Sequence, residues 1–225
     1  MIEEEKFKVN YNDGSPFKGI RILYKYLEEG IEYAKKNKIE DVCIWQGMDT
    51  GKYDVDFDFL KELSFLKTFH CLVFLTKKSN IEGLYSLTNL KDFRWAVDND
   101  FIIDFGRLHS IEKLNINYNT KLKNWNCLNS LKELYISKVD DCSFLSGTES
   151  LEKIRFIKCK FTSLKGLESC VNITEIDIRF CQNLTEVTST VTQLKKLDYL
   201  VIDSCKKLVI DEEYLKQTIK HVGII

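Results

Sequence analysis

One apolar frame recurs along most of this chain. It reads Leu128-x-x-Leu131-x-x-Leu134-x-Ile136, and again Thr148-x-x-Leu151-x-x-Ile154-x-Phe156. With the second residue as anchor, it falls at Ile39, Leu66, Leu90, Ile111, Leu131, Leu151, Ile173 and Leu197, at steps of 27, 24, 21, 20, 20, 22 and 24 residues. Positions three and five beyond an anchor lie on the same side of an extended strand and enter one core. These pairs are Val42/Ile44, Phe69/Cys71, Phe93/Trp95, Leu114/Ile116, Leu134/Ile136, Ile154/Phe156, Ile176/Ile178 and Leu200/Ile202. The sixteen positions hold fifteen aliphatics or aromatics and one cysteine, in a chain that is 44% hydrophobic overall. A unit this short cannot bury its apolar face alone and must stack on its neighbours. The period therefore predicts an α/β solenoid with about eight parallel strands.

The return path of each unit is short. Outside the strand and its turn a 20-residue step leaves about nine residues, too few for a long helix and two loops, which predicts extended or 3₁₀ structure. The longer unit from Ile173 to Leu197 has room for a helical turn. Eight residues past the anchor the column reads Gly47, Phe74, Asp98, Asn119, Val139, Cys159, Cys181 and Cys205. Asparagine in a turn can bond nearby backbone, and cysteine is small and buries readily. The eight cysteines include no Cys-x-x-Cys pair, which points to reduced structural thiols and away from zinc.

The ends differ from the array. Phe7, Val9 and Tyr11 alternate with polar residues as in a short strand, and Asn12-Asp13-Gly14 is a turn signal. Ser15-Pro16 suits a helix start. Phe17, Ile20, Tyr24, Leu27, Ile31 and Ala34 then follow at helical spacing, with Gly30 inside the stripe. Near the other end Asp211 can cap a short helix with Leu215, Ile219 and Val222 on one face. The expected organisation is one folded domain: an N-terminal cap of strand plus helix over 1–38, the array over 39–210, and a C-terminal cap over 211–225.

The repeated frame, with asparagine or cysteine in the turn after it, resembles the leucine-rich repeat superfamily. It is closest in style to the short, irregular repeats of bacterial internalin-like proteins. The resemblance implies a horseshoe whose parallel strands line a concave face, and it implies that this face binds a partner. Candidate contact residues on the outward columns are Trp45, His70, Arg94, Tyr118, Tyr135, Arg155, Asp177, Arg179 and Phe180. Aromatic and arginine side chains are the types enriched at protein interfaces. Trp45, Leu72, Val73, Ala96 and Val97 form a second, apolar candidate patch, unless the N-terminal cap or an early insertion covers it.

Charge narrows the functional classes. The formal net charge is −1, with basic and acidic residues interleaved, which argues against nucleic acid and anionic membrane as partners. The N-terminus, Met1-Ile2-Glu3-Glu4-Glu5-Lys6, is acidic and has no apolar run, so a cytoplasmic setting is expected. The expected function is a monomeric, non-enzymatic protein-interaction module, a scaffold that binds a protein partner without cofactor or metal. An immunity-type inhibitor that neutralises a toxin is a narrower version of it. The alternative from another class is a thiol enzyme using Cys43 and His70, which the frame places on adjacent strands. His109 and His221 fall elsewhere in the frame, and no phosphate-binding or dinucleotide motif is present.

Overall fold

The computed structural model describes residues 6–12, 17–96 and 101–225. The expected turn at Asp13-Gly14, the helix start at Ser15-Pro16, Val97 and Asp98 lie outside the described residues. The chain divides into two compact units, Met1–Phe101 and Ile102–Ile225.

In the first unit β1 (Phe7–Asn10) runs antiparallel to β2 (Gly19–Leu23). Strands β3 (Asp41–Trp45), β4 (Thr68–Leu72) and β5 (Asp92–Trp95) follow in parallel, each beside the one before. The returns are α1 (Leu27–Lys36) and the 3₁₀ segments Phe57–Leu63 and Glu82–Ser86.

In the second unit β6 (Ile103–Asp104) pairs with β8 (Leu122–Lys123) in a small parallel sheet. The main sheet contains β7 (Lys113–Asn117), β9 (Glu133–Ser137), β10 (Lys153–Ile157), β11 (Glu175–Arg179), β12 (Tyr199–Asp203) and β13 (His221–Ile224), parallel throughout. The short returns are 3₁₀ turns at Phe105–Arg107, Trp125–Cys127, Ser143–Leu145 and Leu167–Ser169, as the step length required. The longer steps hold α2 (Thr188–Val191) and α3 (Glu212–Lys216). No helix among the described residues is long and apolar enough to cross a membrane.

The core sits where the frame puts it. None of the sixteen inward residues is more than 3% exposed. Neighbours stack in register, Leu114 beside Leu134, Leu134 beside Ile154, and Ile154 beside Ile176. The turn column behaves in the same way. Asn119 Oδ1 accepts from the Lys121 amide at 2.9 Å, and Cys159, Cys181 and Val139 are buried. Cys205, in the turn after β12, is only half-buried, and Phe74 is exposed, so these two depart from the expected burial.

Both ends carry a strand where helix was expected. Residues 19–23 form β2 in parallel register with β3, Ile20 beside Val42 and Ile22 beside Ile44, and α1 starts only at Leu27. Gly30 is explained by this arrangement. A Cβ there would lie 2.5 Å from Ile22 Cγ2, so the bare glycine lets α1 rest on β2. At the other end Asp211 Oδ1 accepts from the Tyr214 amide at 3.0 Å and starts α3 as expected. Val222, however, belongs to β13, beside Leu200, rather than to the face of that helix.

Candidate functional site

The apolar patch expected in the first unit is smaller than the sequence suggested. Val73 is fully buried, while Trp45, Leu72 and Ala96 are half-buried. Seven residues past the anchor the chain is leaving the strand, so that side chain is free to turn into the core. Trp45 lies under a guanidinium, with Arg21 Cζ 4.6 Å from its ring centroid. His70 Nε2 is 3.0 Å from Asp92 Oδ1, and the His70 ring lies 4.9 Å from that of Phe17. Arg94 is half-buried, and its Nε has no hydrogen-bond partner.

Cys43 does stand beside His70 on the neighbouring strand. It is only 1% exposed, however, and burial pushes its thiol up to about 11, with Arg21 and Arg94 pulling weakly the other way. A buried thiol protonated at neutral pH is a poor nucleophile, so burial and protonation both count against Cys43 in the enzyme alternative.

The second unit gathers more polar groups. On β9, β10 and β11 the outward residues Tyr135, Arg155 and Asp177 stand side by side in register. The Tyr135 ring has Arg155 Cζ 5.2 Å from its centroid on β10 and Lys113 Nζ 5.5 Å from it on β7. Asp177 Oδ2 lies 2.7 Å from Arg155 Nε, an ion-pair distance without the alignment of a hydrogen bond. Its other oxygen, Oδ1, accepts from Arg179 Nε at 2.8 Å. This hydrogen bond, with the charge of Asp177, holds the Arg179 guanidinium protonated even more firmly than usual. Around this centre runs a further row, outside the expected contact residues. Lys113 pairs with Glu133 at 3.1 Å, Lys153 pairs with Glu175 at 2.8 Å, and the Tyr199 ring stacks on that of His221 at 4.3 Å. Lys113, Glu133, Lys153, Glu175 and Tyr199 sit two past the anchor, and the alternating sign of the first four is visible in the sequence. Together Tyr135, Lys153, Arg155, Glu175, Asp177 and Tyr199 line most of a recess of about 350 Å³.

Two expected members lie apart from that cluster. Tyr118 packs on Phe144 at 4.9 Å and on Trp125 at 6.4 Å, on the turn side. Its hydroxyl titrates above the usual range, first through burial and then through Asp141 and Asp140. Phe180 is 45% exposed and sits at φ 58, in the left-handed region. Lys138, Lys158 and Ser204 occupy the same repeat position, at φ 64, 53 and 54. The turn itself therefore imposes this conformation, which costs a bulky L-residue about 1–2 kcal/mol. Phe180→Gly is accordingly expected to leave stability unchanged or to raise it by up to about 1 kcal/mol, glycine's greater freedom in the unfolded chain offsetting part of the relief. A urea midpoint shifted downward would show that the ring anchors the turn.

Among the described residues no group of His, Cys, Asp and Glu is arranged to hold a metal ion. No protein-family model and no curated protein matches the sequence. Solved structures do. An internalin C2 from Listeria monocytogenes aligns at 16% identity over 76% of this chain and 76% of its own, with a TM-score of 0.58. A leucine-rich repeat protein of Leptospira interrogans aligns at 14% identity over 88% of this chain and 56% of its own, with a TM-score of 0.54. A TLR13–ssRNA13 complex aligns at 20% identity over 87% of this chain and 29% of its own, with a TM-score of 0.55. The chain spans about half of the Leptospira protein and less than a third of TLR13. Likeness at this level establishes the fold. With the repeat frame buried as it predicts, the chain has a leucine-rich repeat fold of the internalin-like kind.

Proposed function

We propose that this protein is a protein-interaction module, and that it holds a protein partner on the outward face of the second unit's sheet. The observation that supports this most is the cluster of Tyr135, Arg155, Asp177 and Arg179. Its side chains stand on adjacent hydrogen-bonded strands whose opposite face is fully packed. Their positions are therefore held in advance, and little side-chain entropy remains to be lost on binding. Aromatic and arginine residues on such a platform are the usual anchors of a protein interface. Phe180, exposed in the turn that follows Arg179, is a candidate for a further contact apart from the cluster. Trp45, His70 and Arg94 remain candidates for a separate contact on the first unit. A non-enzymatic, cytoplasmic role belongs to the same proposal, and inhibition of a toxin is one form that it takes.

The test is a double substitution. Tyr135→Ala with Arg155→Ala is expected to leave the urea midpoint within about 1 kcal/mol of the parent, because both side chains are half-exposed and lie outside the packed core. It is also expected to reduce recovery of the partner from lysate by about tenfold or more. Undiminished recovery by a folded double variant would refute the assignment of this face.

A further inference from the structure

We propose that Arg155 and Arg179 form a carboxylate clamp, so that the partner presents an aspartate or glutamate side chain from an acidic peptide segment. This rests on the reading of the face given above and names what the face grips. Asp177 contacts both guanidiniums through their Nε atoms, at 2.7 Å for Arg155 and 2.8 Å for Arg179. A guanidinium carries five N–H donors in one plane, so contact at Nε leaves its terminal nitrogens available. Among the described residues no other carboxylate lies within ion-pair distance of either group. Asp177 lies deeper than the arginines, with its side chain 17% exposed against 40% and 39%. The carboxylate is thus the base of the clamp, beneath two more exposed arginine side chains. The Tyr135 ring supports Arg155 from the far side. Asp177 offsets one of the two guanidinium charges and Asp203, across from Arg179 on β12, lies near the other, so the clamp acts through its planar donor forks, which match a carboxylate bidentately, rather than through excess charge.

The surroundings favour a carboxylate on a peptide over the backbone of a nucleic acid. A polyanion needs a continuous basic track. Here Glu133 and Glu175 interrupt the lysine row, and Asp203 lies beside Arg179 on β12. Basic and acidic groups thus alternate along these strands, and Tyr199 and Val201 supply apolar wall along the same recess. This fits an acidic side chain with an apolar neighbour.

The test uses the full chain and a phage-displayed random-peptide library. Selected peptides, made synthetically, are expected to share an Asp or Glu next to an aromatic or aliphatic residue. Replacing that acid by its amide in the peptide should weaken binding by about thirtyfold, as should Arg155→Ala or Arg179→Ala in the protein. Lysine at either position should restore only part of the loss, because it lacks the planar fork. Asp177→Asn separates a held clamp from simple attraction: it makes the face more positive, yet it should weaken binding because both guanidiniums lose their anchor. If an arginine-to-alanine variant fails to fold, the lysine variants and the peptide amides carry the test. Peptides that need Tyr135 but share no acid would overturn the clamp and leave the face standing. Peptides indifferent to every residue of the face would overturn both readings. Tighter binding by Asp177→Asn, or a short oligouridylate that outcompetes the peptides, would also overturn the clamp.

Discussion

Gly83→Ala is expected to destabilise the first unit by more than about 3 kcal/mol, an effect large for a single methyl group. Gly83 lies in the 3₁₀ segment Glu82–Ser86, and a Cβ there would sit 1.9 Å from the Phe57 carbonyl oxygen and 2.5 Å from its carbon. Both are backbone atoms and cannot swing aside. The two 3₁₀ segments would have to separate, and Phe57 would move with them. Phe57 is fully buried, with its ring 5.5 Å from that of Trp95 and 6.2 Å from that of Phe69. Relief of the clash would therefore open the core. Gly223→Ala is the matched control, since nothing lies within 4 Å of a Cβ there, and it should change stability by less than about 0.5 kcal/mol. Urea unfolding of both variants checks this. A Gly83→Ala loss below about 1 kcal/mol would show that these segments do not touch as described.

Stability is also expected to collapse at alkaline pH. Burial pushes Cys71 up to about 12 and Cys43 and Cys170 up to about 11. Cys142 is raised further still, and Cys181 is raised by its hydrogen bond with Cys159 and by burial. In the unfolded chain these thiols titrate near their ordinary value of 9.0. Above that pH the unfolded chain has released protons that the folded chain keeps, so stability falls as pH rises. The contribution is complete below pH 9 and is lost as pH approaches 11–12. A shift from 9.0 to about 12 corresponds to about 4 kcal/mol for Cys71 alone, a large share of the roughly 5–15 kcal/mol that a domain has. The check is the urea midpoint from pH 7 to 11 under reducing conditions, for the parent and for Cys71→Val. The parent should lose stability steeply above pH 9, and the variant less steeply. Parallel curves would mean that Cys71 is not the buried thiol described here.

The array was readable because its signal is local and repeated. A strand side chain points inward at every second position, and a stacked coil reuses the same frame, so Leu134/Ile136 and Ile154/Phe156 announce their burial without any knowledge of their neighbours. At the ends two patterns share a spacing. Phe17 and Ile20, three residues apart, fit a helix stripe as well as the strand frame, and Ile22 fits only the strand frame. Ile219, Val222 and Ile224 repeat that ambiguity. Only the neighbouring strands, β3 beside β2 and β12 beside β13, resolve it, through hydrogen bonds that no local pattern contains.

The same division holds at the candidate site. On β9, β10 and β11 sequence by itself determined which residues face outward, because outward and inward positions alternate along a strand. It named Tyr135, Arg155, Asp177 and Arg179 on that ground. Tertiary structure decided what those residues do to each other: Asp177 meets two guanidiniums, Tyr135 lies beneath one of them, and Tyr118 turns away to Phe144. It also decided the left-handed turn at Lys138, Lys158, Phe180 and Ser204, where the residue types carry no glycine or asparagine signal. Alternation is a property of one strand, whereas pairing depends on rotamers and on distances across strands brought together by some twenty intervening residues.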